Sequence, residues 1–443
     1  MPNKISNWGN YPVVEATLST FSGEDDIVPF ISKKGIPIAL RGSGLSYGDA
    51  SLGSTILSTL QYNKILNFDS NAGTIYVQAG VTLDVLLKHI VPHGWFLPVT
   101  PGTKFITVGG AVAGDVHGKN HHSEGSFCDH VIELQVLLPD GRIVLCSREN
   151  NYELFNLVSG GLGLGAFILT ALFRLKRVET AYINQQNVII KDLGDMLEQL
   201  QSFNNATYSV AWIDCLAKGK HLGRGVLMLG EHVRKDKLPA KFKEPLRIHR
   251  GQRLNTPFYF PSFVLNSFTM RLFNQVFFYK HRLARKDFVV HYDPYFYPLD
   301  FIRNWNKMYS RKGFLQYQFV LPFDQAERGL EVILSKISQS GLASFLAVLK
   351  VLGKGNHTLS FPMPGFTLAL DFPVSSGIFK LLDELDKLVI EYGGRIYLVK
   401  DARMSSDVYW QGYPNAPHFK SKINALDPEH VFASLLSERL KMI

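Results

Sequence analysis

Ile36-Pro37-Ile38-Ala39-Leu40-Arg41-Gly42-Ser43-Gly44-Leu45-Ser46-Tyr47-Gly48-Asp49 is the stretch on which the fold turns. A short apolar strand over 36–40 runs directly into a loop holding three glycines and two serines. Closely spaced backbone N–H groups with no Cβ in the way can wrap a phosphate, although an ordinary glycine turn has the same composition. The glycine spacing is wrong for a dinucleotide-binding fingerprint. The later run Gly161-Leu162-Gly163-Leu164-Gly165 precedes a strand, whereas that fingerprint opens a helix, so a Rossmann reading is rejected for both.

Around this loop, residues 27–178 read as short strands, helices and glycine turns. A strand over 73–80 is followed by a helix with apolar residues at Leu83, Leu86, Leu87 and Ile90. Strands over 130–138 and 143–146 flank the hairpin turn 139–142. Residues 151–158 read as a helix and 167–175 as a strand. Beyond about residue 179 the elements lengthen: a strand over 182–190, a helix over 193–203, strands near Val210 and Val226, and a clear strand over 313–320. Neither an internal repeat nor a low-complexity linker interrupts the chain.

With 443 residues, 46% of them apolar and 19% charged, the chain is too apolar and varied to be disordered or fibrous, and two domains are expected. Cys128, Cys146 and Cys215 are widely spaced and odd in number, which excludes a disulfide framework or a zinc module and suits a reducing compartment. The first residues carry no signal-peptide pattern and no run reaches the length that spans a bilayer. A cytoplasmic protein, or one peripheral on the inner membrane, is expected. The net charge of +9 is concentrated: residues 233–286 hold 13 Lys+Arg against Asp236 and Glu244, a local charge of +11 that leaves the rest slightly acidic. Nine aromatics lie within 258–279. Nucleic-acid binding uses the same residue types, but the acidic remainder and the absence of a nucleic-acid motif argue against it. Docking on an anionic membrane through a mobile segment 233–286 fits the composition better.

A second small-residue stretch, Pro101-Gly102-Thr103 and Thr107-Val108-Gly109-Gly110-Ala111-Val112-Ala113-Gly114-Asp115, permits close approach by a flat or anionic ligand. It leads into Val116-His117-Gly118-Lys119-Asn120-His121-His122. Three histidines in six residues suit a metal, but no carboxylate–His helix spacing accompanies them, so polar lining of a ligand pocket is the preferred reading and no metal is expected. Taken in order, Arg-Gly-Ser-Gly-x-Ser-Tyr-Gly-Asp, Pro-Gly-Thr, Val-Gly-Gly, His-Gly and Gly-Gly-x-Gly before a strand resemble the FAD-binding domain of the vanillyl-alcohol oxidase type of flavoproteins. That resemblance implies an α+β fold with a two-lobed FAD-binding domain and a substrate domain whose antiparallel sheet is covered by helices. It also implies FAD, with the first loop on the pyrophosphate and the second along the flavin. Leu45 occupies the position of the histidine that links flavin covalently in many members, so FAD is expected to be held non-covalently.

A closer resemblance covers nearly the whole chain. The stretches 110–127, 313–320, 359–373, 394–403 and 427–440 are similar to the decaprenylphosphoryl-β-D-ribose 2′-oxidases, the flavin half of a two-enzyme epimerase for a lipid-linked pentose. This divides the chain into an FAD-binding domain (5–178), a substrate-binding domain (179–394) and a C-terminal segment (395–443) returning to the flavin. Implied cofactor contacts come from Arg41, Gly42, Ser43, Gly44, Leu45, Ser46 and Tyr47; from Pro101, Gly102, Thr103, Thr107, Val108, Gly109, Gly110, Ala113, Gly114 and Val116; from His117, Gly118, Asn120 and His121; and from Tyr397 and Lys400. Implied catalytic residues are Lys400, His117 and Gln318. Tyr47, Lys119, Trp212, Leu299, Gln316, Gln318, Lys350 and Thr367 are implied to line the substrate site. Independently of the resemblance, Gln316 and Gln318 share one face of a strand by the period of two, which suits either sugar hydroxyls or a polar outer face. Ala369 stands where the family carries a cysteine near the flavin.

These readings predict an FAD-dependent oxidoreductase that oxidises the 2′-hydroxyl of a polyprenylphosphoryl ribose. A short-chain reductase would complete the epimerisation, and no nucleic acid would be bound. The alternatives are a soluble aldonolactone or alditol oxidase reducing oxygen, and a flavin- or RNA-binding protein without turnover.

Overall fold

The computed structural model describes residues 3–31, 35–248, 251, 254–342, 344 and 346–443. Arg250 and Arg253 of the basic segment lie outside the described residues. The first strand and loop belong to a four-stranded sheet ordered Asn3–Ser6, Val13–Thr20, Thr55–Ser58, Ile38–Arg41; the last three are parallel and the first pairs antiparallel. The strand thus begins and ends slightly later than the sequence pattern implies, and the glycine loop starts at Gly42.

A five-stranded antiparallel sheet follows, ordered Ile65–Asp69, Thr74–Gln78, Phe167–Arg174, Val131–Leu137, Ile143–Ser147. The helix Leu83–Ile90 packs here because Thr82 caps its N-terminus and Leu83, Leu86, Leu87 and Ile90 form one buried stripe.

The third sheet has eight antiparallel strands, ordered Asp287–His291, Tyr182–Ile190, Gly225–His232, Tyr208–Ile213, Ala347–Leu352, Gly365–Pro373, Phe314–Pro322, Arg395–Ile396. Residues alternate between its two faces. Leu315, Tyr317, Phe319, Leu349, Val351, Leu368, Leu370 and Phe372 lie on one face in a core shared with the helices Leu193–Ser202, Phe323–Ser340 and Ile378–Glu391. Truncating one such leucine to alanine costs about 2–5 kcal/mol. The register puts Gln316, Gln318, Lys350, Thr367, Ala369, Asp371 and Trp212 on the other face. Mixed helices and antiparallel sheets make the chain α+β.

Most of the basic aromatic segment's rings sit on or beside a 17-residue helix, Ser267–Leu283, an element that the sequence reading did not assign within its mobile segment 233–286. The Asn266 side chain caps it, accepting from the N–H groups of Phe268 and Thr269. Its apolar residues fall on two sides, which blurs the single stripe that marks an amphipathic helix. Met270, Asn274 and Phe278 are buried against the sheet, whereas Phe268, Leu272, Val276 and Leu283 are 73, 57, 60 and 86% exposed. Among the described residues no helix is long and apolar enough to cross a membrane. The end of the chain returns to the first sheet, where Phe432 bridges Ile38 in parallel.

Candidate active site

The first loop leaves the strand Ile38–Arg41 and is closed from three sides. Its Ser46 carbonyl accepts from the Trp8 N–H at 2.9 Å, and the Ser46 hydroxyl donates to the Val399 carbonyl at 2.7 Å. A Cβ on Gly42 would lie 2.1 Å from Thr107 Oγ1, and one on Gly48 would lie 1.6 Å from the Asp401 carbonyl, so only glycine allows these approaches. Among the described residues, the backbone N–H groups of Gly42, Ser43, Gly44 and Leu45 meet no acceptor in the chain. With Gly44 at φ +65°, this run of free donors is of the kind that can bind an anion. The Arg41 guanidinium faces elsewhere: it donates to Asn7 Oδ1 and to the Ser6 carbonyl, and shapes the loop from behind.

The second stretch is organised by Thr107, whose hydroxyl caps the short helix Val108–Ala113 by accepting from the Gly110 N–H. The N–H groups of Val108 and Gly109 already donate to the carbonyls of Val81 and Ala79, which pins this helix to the five-stranded sheet and spends two donors that the sequence reading had offered to the cofactor. Gly102 opens onto free space, so its surface is bare. Gly114 accepts at its carbonyl from the Tyr397 hydroxyl at 3.0 Å, and a cavity lies beside it, lined by Gly114, Gly160, Leu162, Phe361, Tyr397 and Val399. Ala113 and Val116 pack into the core around the five-stranded sheet, and Thr103 makes a local turn by accepting from the Phe105 N–H.

The three histidines separate rather than converge. His117 is buried and its Nε2 lies 3.0 Å from Gln318 Nε2, while Nδ1 has no partner among the described residues. Its ring lies against Phe361 and Tyr397, which stack at 4.4 Å. His121 Nδ1 accepts from the Gly353 N–H and its Nε2 contacts Ser126 Oγ, whereas His122 Nε2 contacts the Ala206 carbonyl. A Cβ on Gly118 would crowd Asn120 Oδ1 and the Thr100 carbonyl, and the Asn120 amide donates to the Pro98 carbonyl. These contacts hold the turn that presents His117 and Lys119.

Opposite stands the polar face of the eight-stranded sheet. The Gln318 amide donates to Thr367 Oγ1 at 3.1 Å as well as reaching His117, and Gln316 donates to Asp371 Oδ1 at 2.6 Å. Both glutamines are buried, which removes the polar-outer-face alternative. Lys400 Nζ lies 4.1 Å from the Tyr47 ring centre. Leu299 packs with Tyr47, Trp305 and Phe314 at one end of the site. Lys119 donates to the Tyr295 carbonyl and lies over the Tyr295 ring. Ala369 sits between Gln318 and Val348 in the register. Trp212 lies under the helix Ser267–Leu283, 4.6 Å from the Phe277 ring, so that helix covers this stretch of the face.

Burial governs the electrostatics. It lowers the Lys119 amine to about 7 with help from Lys350, and Lys350 itself to about 8. Lys400 falls to about 8 by burial, against the Asp371 carboxylate, which holds it up. His117 is pushed well below the usual imidazole range by burial and then by the charges of Lys350, His121 and Lys400, so it is neutral. Burial raises Asp371 to about 7, opposed by the Gln316 hydrogen bond and Lys400. Amines and a carboxyl shifted toward neutrality in this way can exchange a proton near neutral pH.

Two participants escaped the sequence reading. Asp371 shares its strand face with Thr367 and Ala369 by the period of two, a signal present in the sequence. Arg439 forms a fork onto Asp49, with both contacts at 2.9 Å, and reaches Asp401 at 2.9 Å, which ties the first loop to the turn carrying Lys400. Nothing local in the sequence marks that contact.

Comparison with known proteins gives a consistent picture. An FAD binding domain model matches residues 25–147. A decaprenylphosphoryl-β-D-ribose oxidase from Mycolicibacterium smegmatis is 36% identical over 99% of this chain and 98% of its own. An uncharacterised protein from Streptomyces coelicolor is 32% identical over 81% of this chain and 100% of its own. A D-lactate dehydrogenase from Anaerostipes hadrus is 33% identical over 31% of this chain and 30% of its own.

Proposed function

Because the chain belongs to the decaprenylphosphoryl-β-D-ribose oxidase family, we propose that it oxidises the 2′-hydroxyl of a polyprenylphosphoryl-β-D-ribose to the 2′-keto sugar, the first half of an epimerisation to the arabinose form. It is an FAD-dependent oxidoreductase, and FAD, when bound, supplies the hydride acceptor. The observation that carries the substrate reading is the grouping of Lys119, Lys350 and Lys400 with Gln316, Gln318 and His117 around one polar sheet face. Buried amines that a bound anion would hold protonated suit a phosphodiester, and fixed amides suit sugar hydroxyls.

In this reading residues 5–178 form the cofactor domain, 179–394 the substrate domain, and 395–443 the segment that carries Lys400 back to the first loop. The free N–H groups of Gly42, Ser43, Gly44 and Leu45 would hold the pyrophosphate of FAD. Lys119 and Lys350 face the substrate phosphate. His117, neutral and fixed by Gln318, orients the reacting hydroxyl through Nδ1. The Lys400 amine takes the hydroxyl proton as the C–H bond gives up its hydride, and the resulting ammonium balances the negative charge that the reaction places beside it. A base whose pKa lies near the working pH is the effective kind. A separate short-chain reductase would consume the keto product.

The surface reading also belongs here. The outward stripe Phe268, Leu272, Val276 and Leu283 combines exposed apolar side chains with a segment of charge +11. Each basic residue near an anionic membrane contributes about 1 kcal/mol, within about a Debye length. Such a face suits peripheral docking beside a lipid-linked substrate.

Three outcomes follow. Leu45 has no nucleophile to bond the flavin, so acid precipitation should leave all the yellow colour in the supernatant; fluorescence retained on the denatured chain would contradict non-covalent binding. Lys400→Ala should keep FAD yet slow flavin reduction by at least about a hundredfold and lose the rise in rate with pH that a lysine base near 8 imposes; an unchanged rate would remove Lys400 from the mechanism. Replacing Lys280, Arg282, Arg285 and Lys286 by Glu should abolish sedimentation with anionic liposomes at low salt while sparing turnover of a short soluble analogue; unchanged sedimentation, or none in the parent protein, would rule out docking.

A further inference from the structure

The protonation of the His117 ring follows from the single hydroxyl proton of Thr367. That hydroxyl lies 2.8 Å from the Phe319 carbonyl oxygen. A carbonyl can only accept, so the hydroxyl proton is spent there. The Gln318 amide atom 3.1 Å from the same hydroxyl oxygen must then be the donor, its NH2 group, because a carbonyl oxygen at that place would meet only lone pairs. The same NH2 group lies 3.0 Å from His117 Nε2. An amide nitrogen does not accept, so Nε2 is the bare nitrogen and the ring proton sits on Nδ1. The sheet sets this chain of contacts: Gln318 faces Ala369 in the ladder, and Thr367 lies two residues along that strand on the same face.

The other ring nitrogen is left for a ligand. His117 Nδ1 is buried and meets no partner among the described residues, while the ring is held between the Phe361 and Tyr397 rings and the Gln318 amide. A buried N–H without an acceptor is costly and uncommon. The geometry also excludes an imidazolium, whose Nε2–H would point at the hydrogens of the amide. Burial and the nearby Lys350, His121 and Lys400 act in the same direction. A neutral ring with its proton on Nδ1 has no lone pair there with which to take a proton. It can only donate.

We infer that Thr367 is a positioning residue that, through Gln318, holds His117 in its Nδ1–H form, as a hydrogen-bond donor to the oxygen that is oxidised. The second half rests on the reading that the reacting hydroxyl lies at Nδ1; the first half does not. As that hydroxyl gives its proton to the Lys400 amine and its carbon gives up a hydride, negative charge gathers on the oxygen before the C=O bond is complete. Nδ1–H donates to this oxygen and keeps its own proton throughout. With the proton on Nε2 instead, Nδ1 would turn a lone pair toward the same oxygen and oppose the charge. Thr367 thus acts without touching the substrate: it is fully buried and its hydroxyl is used within the chain.

The test is a proton–nitrogen correlation spectrum of the FAD-bound protein carrying isotope-labelled histidine, recorded without substrate, with His117→Asn identifying the His117 signals. The parent protein should show a protonated Nδ1 and a bare Nε2. Thr367→Val, which keeps the shape and removes the hydroxyl, frees the Gln318 amide to turn its oxygen to the ring, and should give a substantial Nε2–H population. Thr367→Ser should restore the parent pattern. Gln318→Glu puts an acceptor-only carboxylate at Nε2, should move the proton there, and carries the test if Thr367→Val fails to fold. Flavin reduction should follow the ring: in Gln318→Glu its limiting rate should fall by about a hundredfold or more, the loss that removal of one such donor produces, with much less change in the half-saturating substrate concentration. Thr367→Val should lose less and Thr367→Ser little. A protonated Nε2 in the parent, or a parent pattern in folded Thr367→Val or Gln318→Glu, overturns the positioning role. A converted ring with the parent rate of flavin reduction overturns the donor role, and with it the reading of His117 at the reacting hydroxyl, while the assignment of the ring proton stands.

Discussion

Three neighbouring strands, Phe314–Pro322, Ala347–Leu352 and Gly365–Pro373, must bury both of their faces, and the site follows from how each face is buried. One face is apolar and packs on helices, which fixes the sheet as a rigid plate. The other carries amides, a lysine and a carboxylate, groups that cost energy to bury unless each finds a partner. Some partners are internal: Gln316 with Asp371, and Gln318 with Thr367 and His117. Among the described residues, His117 Nδ1 and Asp371 Oδ2 are left buried without a partner on this face.

The plate is useful only if the glycine loops meet it at a fixed distance, and a charged clamp provides this. Arg439, near the end of the chain, grips Asp49 in the first loop and Asp401 beside Lys400. Both carboxylates are almost fully buried, so removing the arginine would leave them uncompensated, at a cost of about 3–5 kcal/mol. The Ser46–Val399 hydrogen bond and the contact of Gly48 with Asp401 close the same seam. The loop with the free N–H groups and the lysine proposed as base are thereby parts of one unit.

Much of this could be read from the sequence. The order of glycine motifs points to the flavoprotein family that the comparisons support, and the strands over 74–78, 131–137 and 143–147 follow from alternation and turn chemistry. What escaped did so for physical reasons. The helix Ser267–Leu283 buries one side and exposes apolar residues on another, so its pattern lacks a single apolar stripe. The Arg41 guanidinium is held by Asn7 and Ser6, contacts 34 and 35 residues away that no local pattern encodes. Asp371 was legible by its spacing from Thr367, but a lone Asp in an apolar strand acquires meaning only when the neighbouring strand places Gln316 beside it. The Arg439 clamp joins residues 390 apart in the chain.

The central claim is that the polar sheet face and the lysines around it select a lipid-linked pentose phosphate for oxidation at a secondary hydroxyl. It is tested most directly by anaerobic mixing of the yellow protein with a panel of polyprenylphosphoryl pentoses, free pentoses, aldonolactones and alditols, following the flavin absorbance. The account predicts rapid bleaching by the polyprenylphosphoryl ribose, with recovery of a 2′-keto sugar in stoichiometric yield, and little or none by the free compounds. Bleaching by an aldonolactone or alditol in preference to the phosphorylated pentose would contradict it.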